Sequence, residues 1–407
     1  MQNAVIVDVV RTPRGRGRPG GALSGIHPQE LLAGVLRELE KRTGLDPAEV
    51  EDVLTGCANA VGDHGDCVAR LSVLAAGWPD HVPGLTMNRF CGSGQQAINT
   101  AAMMIAAGQA DTVVASGVEM MSRYPAGGPL TLDGGNARLR ARHPLVPQGV
   151  SADLIATLDG IGRSDVDAYA LESQRRAAAA IEDGRFGGSM VPVLADDGSV
   201  ILDREELPRA TSMEALAGLP ASFAQLGGAD LEGYDRTFDE MCRTVYPHVA
   251  QVQHVHHAGN SSGLADGAAA VLLADERTAR ERGWRPRARV LATASTGAEP
   301  VAMLTAPAPA VLKCARRAGM TLADIDLFEV NEAFASVVLR FLRETGTDPA
   351  AVNVNGGAIA LGHPIGASGP ILFATLLDEL ERRDLSTGAV TMCTGGGMAT
   401  ATIIERI

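Results

Sequence analysis

Hydrophobic positions along the chain follow two alternating patterns. Short apolar runs rich in valine and alanine are bounded by glycine or acidic residues, as in Ala4–Val10 (AVIVDVV) and Ala110–Gly117 (ADTVVASG), and read as strands. Between them lie longer stretches whose apolar positions recur at helical spacing. In 95–107, Ala97, Ile98, Ala101, Ala102 and Ile105 share one face, and Gly108 stops the run. Just upstream, Leu85 and Met87 alternate with polar neighbours as in a short strand. The same reading gives a helix over 28–42 and strands at Glu51–Gly56, Asp266–Ala274, Leu327–Val330, Gly388–Met392 and Met398–Glu405. Helices follow near 165–183, at Arg236–Tyr246 and at Ile371–Arg383.

The order of these elements repeats. Glu51–Gly56 is echoed by Asp326–Asn331, the Cys91 turn and its helix by Asn353–Gly369 and 371–383, 110–117 by 387–393, and 266–274 by 398–405. Alternating strands and helices imply an α/β fold with two parallel-rich sheets and helices between and outside them. From Val118 to about His257 the pattern breaks into a stretch rich in Gly, Pro, Asp and Arg, read as a lid-like insertion into the first copy. The expected organisation is an N-terminal α/β half (1–118, completed by about 258–276), an inserted loop domain (119–257) and a C-terminal α/β half (277–407).

Composition narrows the function classes. A net charge of −13 over 407 residues argues against a nucleic-acid partner, which needs a basic face. No apolar run is long enough to cross a membrane. Six cysteines without CxxC spacing, in a chain that opens directly into a strand without a signal peptide, predict free thiols and a cytoplasmic location.

Four turns carry candidate chemistry. Cys91, in NRFCGSGQ between a strand and a helix, faces the helix's unpaired N–H groups, which favour thiolate over thiol; the alternative is a buried core cysteine. His363 is fixed between Gly362 and Pro364, as a base or oxyanion donor requires, or merely bonds the backbone there. Cys393 precedes three glycines that free N–H groups to point at one spot, or forms a tight turn around a buried thiol. Asn331 either caps a helix that has Glu332 in its first turn or holds a water in the site. His254 and His256 would share one face of a strand, but no cysteine or carboxylate stands at ligand spacing, so no metal is expected.

CGSG at Cys91–Gly94, NEAFA at Asn331–Ala335, GGAIALGHPIGASG at Gly356–Gly369 and CTGGG at Cys393–Gly397 resemble, in order, the four signature segments of the thiolase family. VDVVRTPRG (Val7–Gly15) and AGNSSGLADGAAA (Ala258–Ala270) resemble it as well. The resemblance spans nearly the whole chain. It implies a duplicated, five-layered αβαβα fold, a homodimer or homotetramer, and a coenzyme A-dependent acyltransferase that cleaves or builds 3-ketoacyl chains. Coenzyme A would then be a co-substrate, with no permanently bound cofactor. By motif, Cys91 is the nucleophile, His363 its base and Cys393 the acid/base for the acetyl-CoA carbon. Asn331 holds a water that forms one oxyanion hole with His363, and the N–H groups of Cys91 and Gly395 form the other. Ser262, Phe334 and Ala333 would contact the substrate and coenzyme A.

Three departures stand out. Gly218 and Pro220 occupy places where the family often has Lys and Arg toward the nucleotide, leaving Arg209, Arg236 or Arg243 as substitutes. The segment Ala224–Val255 is longer than in many relatives. Gln148-Gly149 replaces a frequent Met-Gly. A carrier-protein-dependent condensing synthase, which usually pairs its cysteine with two histidines, and a catalytically silent binding subunit are the rival readings.

Overall fold

A computed structural model describes residues 3–124, 131–230 and 232–407. Its strands are β1 (Ala4–Arg11), β2 (Gly15–Arg16), β3 (Asp52–Gly56), β4 (Gly84–Met87), β5 (Thr112–Met120), β6 (Val193–Leu194), β7 (Val200–Leu202), β8 (Ala265–Asp275), β9 (Ala288–Gly297), β10 (Leu327–Val330), β11 (Thr387–Thr394) and β12 (Met398–Arg406). β6 and β7 form a separate hairpin, and the rest make one sheet ordered β10-β11-β12-β9-β1-β8-β5-β3-β4, with β2 beside β8. The pattern led us to expect two sheets. Hydrogen bonding instead continues across a seam of two residue pairs, Val5–Arg289 and Ile6–Ala288.

Either side of that seam the strands repeat one another. Both β1-β8-β5-β3 and β9-β12-β11-β10 contain two antiparallel pairings followed by a parallel one. β4 lies parallel beside β3, and Val352 makes a parallel bridge to Phe328 at the equivalent place beside β10. Strand order thus displays the repeat that the order of elements in the sequence predicts.

Burial explains the composition of the strands. Every residue of β1, β5 and β8 is buried, because helices cover both faces. Helix Pro28–Thr43 and helix Val68–Ala75 cover one outer face, and helices Pro307–Ala318 and Ala335–Thr345 the other. Between the sheet halves lie helices Ser93–Ala106 and Ser368–Arg382. Their Ile98, Ile105, Phe373 and Leu377 join Leu54 and Val113 of one half and Val390 and Ile404 of the other in a single cluster. The result is five layers.

A polar ladder fixes the register of the central layer. Gln95 bonds Val390 O at 2.8 Å and Thr402 at 3.0 Å and accepts from Thr400 at 2.6 Å, and Asn99 accepts from Thr402 at 2.5 Å. Close backbone approach does the rest: a Cβ on Gly369 would stand 2.2 Å from Gln95 N, which only glycine avoids.

The stretch between β5 and β8 carries short helices, the 20-residue helix Arg163–Glu182 and the β6–β7 hairpin. It is strapped to the N-terminal half through buried Glu205, which takes Arg11 at 2.8 Å and both Arg14 Nη2 (2.8 Å) and Nε (3.2 Å). Burial favours the neutral acid, but Arg14 and Arg11 outweigh it and hold the Glu205 carboxyl down at about 2. The helix expected at Arg236–Tyr246 is shorter, Phe238–Val245.

His254 and His256 do not share a strand, since 252–257 forms neither strand nor helix. Each ring is taken up by a carboxylate: His254 by Asp153 (2.7 Å) and Asp239 (3.1 Å), His256 by Asp153 (2.7 Å), and His257 by Asp167 (2.8 Å). Among the described residues no helix is long and apolar enough to cross a membrane.

Candidate active site

The turn before helix Ser93–Ala106 is built by its own side chains. Asn88 Oδ1 accepts the Phe90 N–H at 2.7 Å, and Ser93 Oγ accepts the Arg89 N–H at 2.9 Å while donating to Phe90 O at 2.5 Å. Phe90 is thereby held at φ +49°, a left-handed conformation costing a residue with a Cβ roughly 1–2 kcal/mol. That bend places Cys91 one residue ahead of the helix N-cap, Gly92. A Cβ on Gly92 would sit 2.7 Å from the Thr394 side chain, so the CGSG and CTGGG turns touch.

The environment of Cys91 corrects the thiolate expectation. The sulfur does receive donors, from the Gln148 side chain and from the N–H groups of Gly395 and Cys91 itself. Burial nevertheless outweighs them and pushes the thiol up to about 11. The resting group is a thiol. Cys393 is 1 % exposed and is pushed up further, by burial first and then by the proximity of Cys91, which identifies the two sulfurs as neighbours.

The C-terminal half supplies the other groups through three interlocked loops. Ser262 N bonds Ala333 O (3.0 Å), Gly263 N bonds Ala358 O (3.2 Å), His363 N bonds Gly263 O (2.8 Å) and Ala335 N bonds Asn260 O (3.1 Å). The segments carrying AGNSSG, NEAFA and GHP are thus one hydrogen-bonded unit. Asn331 caps no helix: the following helix begins at Ala335 behind Phe334, whose extended backbone bridges Ser261. Released from capping, Asn331 Nδ2 lies 3.4 Å from His363 Nε2, and its Oδ1 is buried with no protein partner among the described residues.

Ser368 sets the protonation of His363. Its Oγ donates to Pro364 O at 3.0 Å and so accepts from His363 Nδ1 at 2.5 Å, which leaves a lone pair on Nε2. Burial, with Arg14 nearby, lowers the imidazole to about 4, so it is neutral at pH 7.

Two groups of site residues are thus brought together: Cys91 with Cys393 and Gly395, and His363 with Asn331 and Ser368. Phe334 and Ala333 lie in a cluster with Cys393, Val146, Val150 and Met303 that extends under the inserted stretch. Of the three arginines considered for the nucleotide, Arg209 bonds Ala258 O (3.1 Å), Arg236 is tied to Asp235 (2.8 Å) and Thr244 (3.1 Å), and Arg243 is exposed. Ser368 and Gln148 are additions from the structure. The only sequence signal for either was the departure at Gln148.

A buried thiol pair with a backbone donor, and a neutral imidazole beside an amide, are groups suited to acyl transfer through a thiol. Residues 4–230 match the thiolase N-terminal domain and residues 284–406 the thiolase C-terminal domain. The chain is 42 % identical to a steroid 3-ketoacyl-CoA thiolase of Mycobacterium tuberculosis, over all of this chain and 95 % of that one. It is 40 % identical to a β-ketoadipyl-CoA thiolase of Pseudomonas putida over the whole of both. A crystal structure of the Bacillus anthracis acetyl-CoA acetyltransferase superposes with a TM-score of 0.83 at 36 % identity, covering 100 % of this chain and 99 % of that one. The chain belongs to the thiolase family, and it is a coenzyme A-dependent acyltransferase.

Proposed function

We propose that the protein exchanges acyl groups between a 3-ketoacyl-CoA and coenzyme A through an acyl-enzyme on Cys91, degrading or building the chain by two carbons. The observations that carry this are two neighbouring buried sulfurs with the Gly395 N–H beside one of them, and a neutral imidazole whose unprotonated Nε2 meets, among the described residues, only the long 3.4 Å contact of Asn331 Nδ2.

In the cleaving direction the Cys91 proton passes to His363 Nε2 as the sulfur attacks the 3-keto carbon. The oxyanion forms against the N–H groups of Cys91 and Gly395. The C2–C3 bond breaks, its electrons move into the acetyl-CoA enolate, and the Cys393 thiol protonates C2. Burial keeps Cys393 protonated until that moment, as an acid requires. The enolate oxygen is met by His363 and by a water held at Asn331, whose buried Oδ1 lacks a protein partner among the described residues. The Cys393 thiolate then takes the proton of incoming coenzyme A, whose sulfur attacks the Cys91 thioester. Cys91 leaves and recovers its proton from His363. A thioester is exchanged for a thioester, so the intermediate stays activated.

Ser262, Phe334 and Ala333 are assigned to the substrate channel. Polar or bulky acyl groups, as in the names of the steroid and β-ketoadipyl relatives, are the substrate classes to try first. The open edge of β4, with Leu85 47 % exposed, supports assembly by pairing with a second copy, to be checked by light scattering. Six free thiols support a reducing, cytoplasmic setting.

The direct test is intact-mass analysis of Cys393→Ala after incubation with acetyl-CoA. An acetyl adduct on Cys91, together with absent cleavage of acetoacetyl-CoA, is expected. An adduct on any other residue, or normal cleavage, overturns the assignment.

A further inference from the structure

Glu119, at the end of β5, is fully buried and takes no part in the chemistry above. Its Oε2 accepts the N–H groups of Ala58 and Gly366, both at 2.8 Å. Its Oε1 accepts the N–H of Asn59 at 3.2 Å and faces the Cys57 thiol at 3.7 Å. Burial raises the Glu119 pKa, and three N–H groups converging on its two oxygens oppose that rise and favour the carboxylate. An anion held in the interior by N–H groups, without a cation bonded to it, is expensive compared with a neutral side chain.

What it joins gives the reason. Ala58 and Asn59 follow β3 in the N-terminal half, whereas Gly366 lies three residues past His363 in the C-terminal half. The other end of the His363 loop is held within its own half, where Ile359 N–H bonds Glu332 at 3.1 Å. The loop has no slack at Gly366. Its carbonyl would stand 2.4 Å from a Cβ on Gly94 and 2.2 Å from one on Gly117. We propose that Glu119 is a positioning residue: by gripping Gly366 across the junction of the two halves, it sets where His363 stands relative to Cys91.

The proposal rests on His363 being the base for Cys91, and it can be tested without substrate. Glu119 is also close enough for its charge to oppose the Cys91 thiolate. Position and charge therefore predict opposite signs. The measurement is the rate of Cys91 alkylation by iodoacetamide in the full-length protein at pH 7.5, followed by peptide mass spectrometry. Glu119→Gln should slow it roughly ten- to a hundredfold, toward the rate of His363→Ala, and the double variant should be no slower than His363→Ala alone. Gly366→Ala leaves the carboxylate intact but drives a methyl to 2.8 Å from Glu119 Oε2 and 2.7 Å from Gly56 O; it should act likewise, and it decides the case if Glu119→Gln does not fold.

Faster alkylation in Glu119→Gln would reduce the residue to a local charge. An unchanged rate with a lower melting temperature would make it merely structural. Losses that add to those of His363→Ala would also overturn the proposal. Should His363→Ala itself alkylate at the unmodified rate, the base assignment falls and the proposal with it. Failure of the unmodified protein to cleave any 3-ketoacyl-CoA would instead strike the functional reading alone.

Discussion

In the N-terminal half the chain passes from β4 to its central helix through Asn88–Gly92, and that turn carries one reactive group, Cys91. In the C-terminal half the equivalent passage, from the Val352 bridge to Ser368, spans 353–367 and carries His363. Two neighbouring strand ends of that half add Asn331 and Cys393. Each passage is braced by the serine that opens its helix, Ser93 or Ser368; the short turn otherwise uses its own Asn88, whereas the long loop needs Glu332 and Glu119 from elsewhere. One topology thus supports two grades of rigidity. The nucleophile sits where local sequence fixes it, and the proton-handling groups sit where tertiary contacts can tune them.

The largest way to break this comparison is at the single group of the short turn. Cys91→Ala should abolish both acyl transfer and carbon–carbon cleavage, a loss of about 10³-fold or more in kcat. Residual acyl-enzyme detected by mass spectrometry would contradict it. On the long-loop side, Asn331→Ala should lower kcat for acetoacetyl-CoA cleavage about 10²–10³-fold and leave Cys91 acetylation by acetyl-CoA nearly intact. Equal losses in both assays would move Asn331 out of the enolate step.

The two halves are sharpened as a structural pair by Ile98→Ala, which opens a cavity in the cluster they share. Urea unfolding should register about 2–5 kcal/mol as one cooperative transition. Two separated transitions would show halves that unfold independently.

The smallest effect concerns pH. Burial opposes charge on His254, yet its bonds to Asp153 and Asp239 prevail and raise it from 6.5 to about 9. The folded state therefore holds a proton that the unfolded chain has lost between those values. This contribution is complete below about pH 6.5 and disappears as pH rises through about 9. The melting temperature of the unmodified protein should accordingly fall more steeply over that window than that of His254→Gln. Parallel slopes would refute the assignment.

Much of this was legible beforehand because local pattern and tertiary role agree. Ala97, Ile98, Ala101, Ala102 and Ile105 are all buried in the central layer, and β5, β8 and β12 fall where valine-, alanine- and leucine-rich runs placed them. Misreadings arose where a long-range contact decides. Cys91 precedes a helix as anticipated, but its titration follows burial, which no spacing encodes. Asn331 looks like an N-cap because it precedes a helical stretch, yet Phe334 takes that place and frees the amide for His363. Glu119 escaped notice since its partners lie 60 and 247 residues away.

The seam between β1 and β9 amounts to two residue pairs, while Gln95, Asn99 and the apolar faces of both central helices cross from one repeat into the other. Cohesion between the repeats thus resides in side chains and owes little to the tether from Asp275 to Ala288. A polypeptide nicked within that tether should remain one particle, and a lone repeat would expose a greasy, hydroxyl-studded wall that only its counterpart can cover.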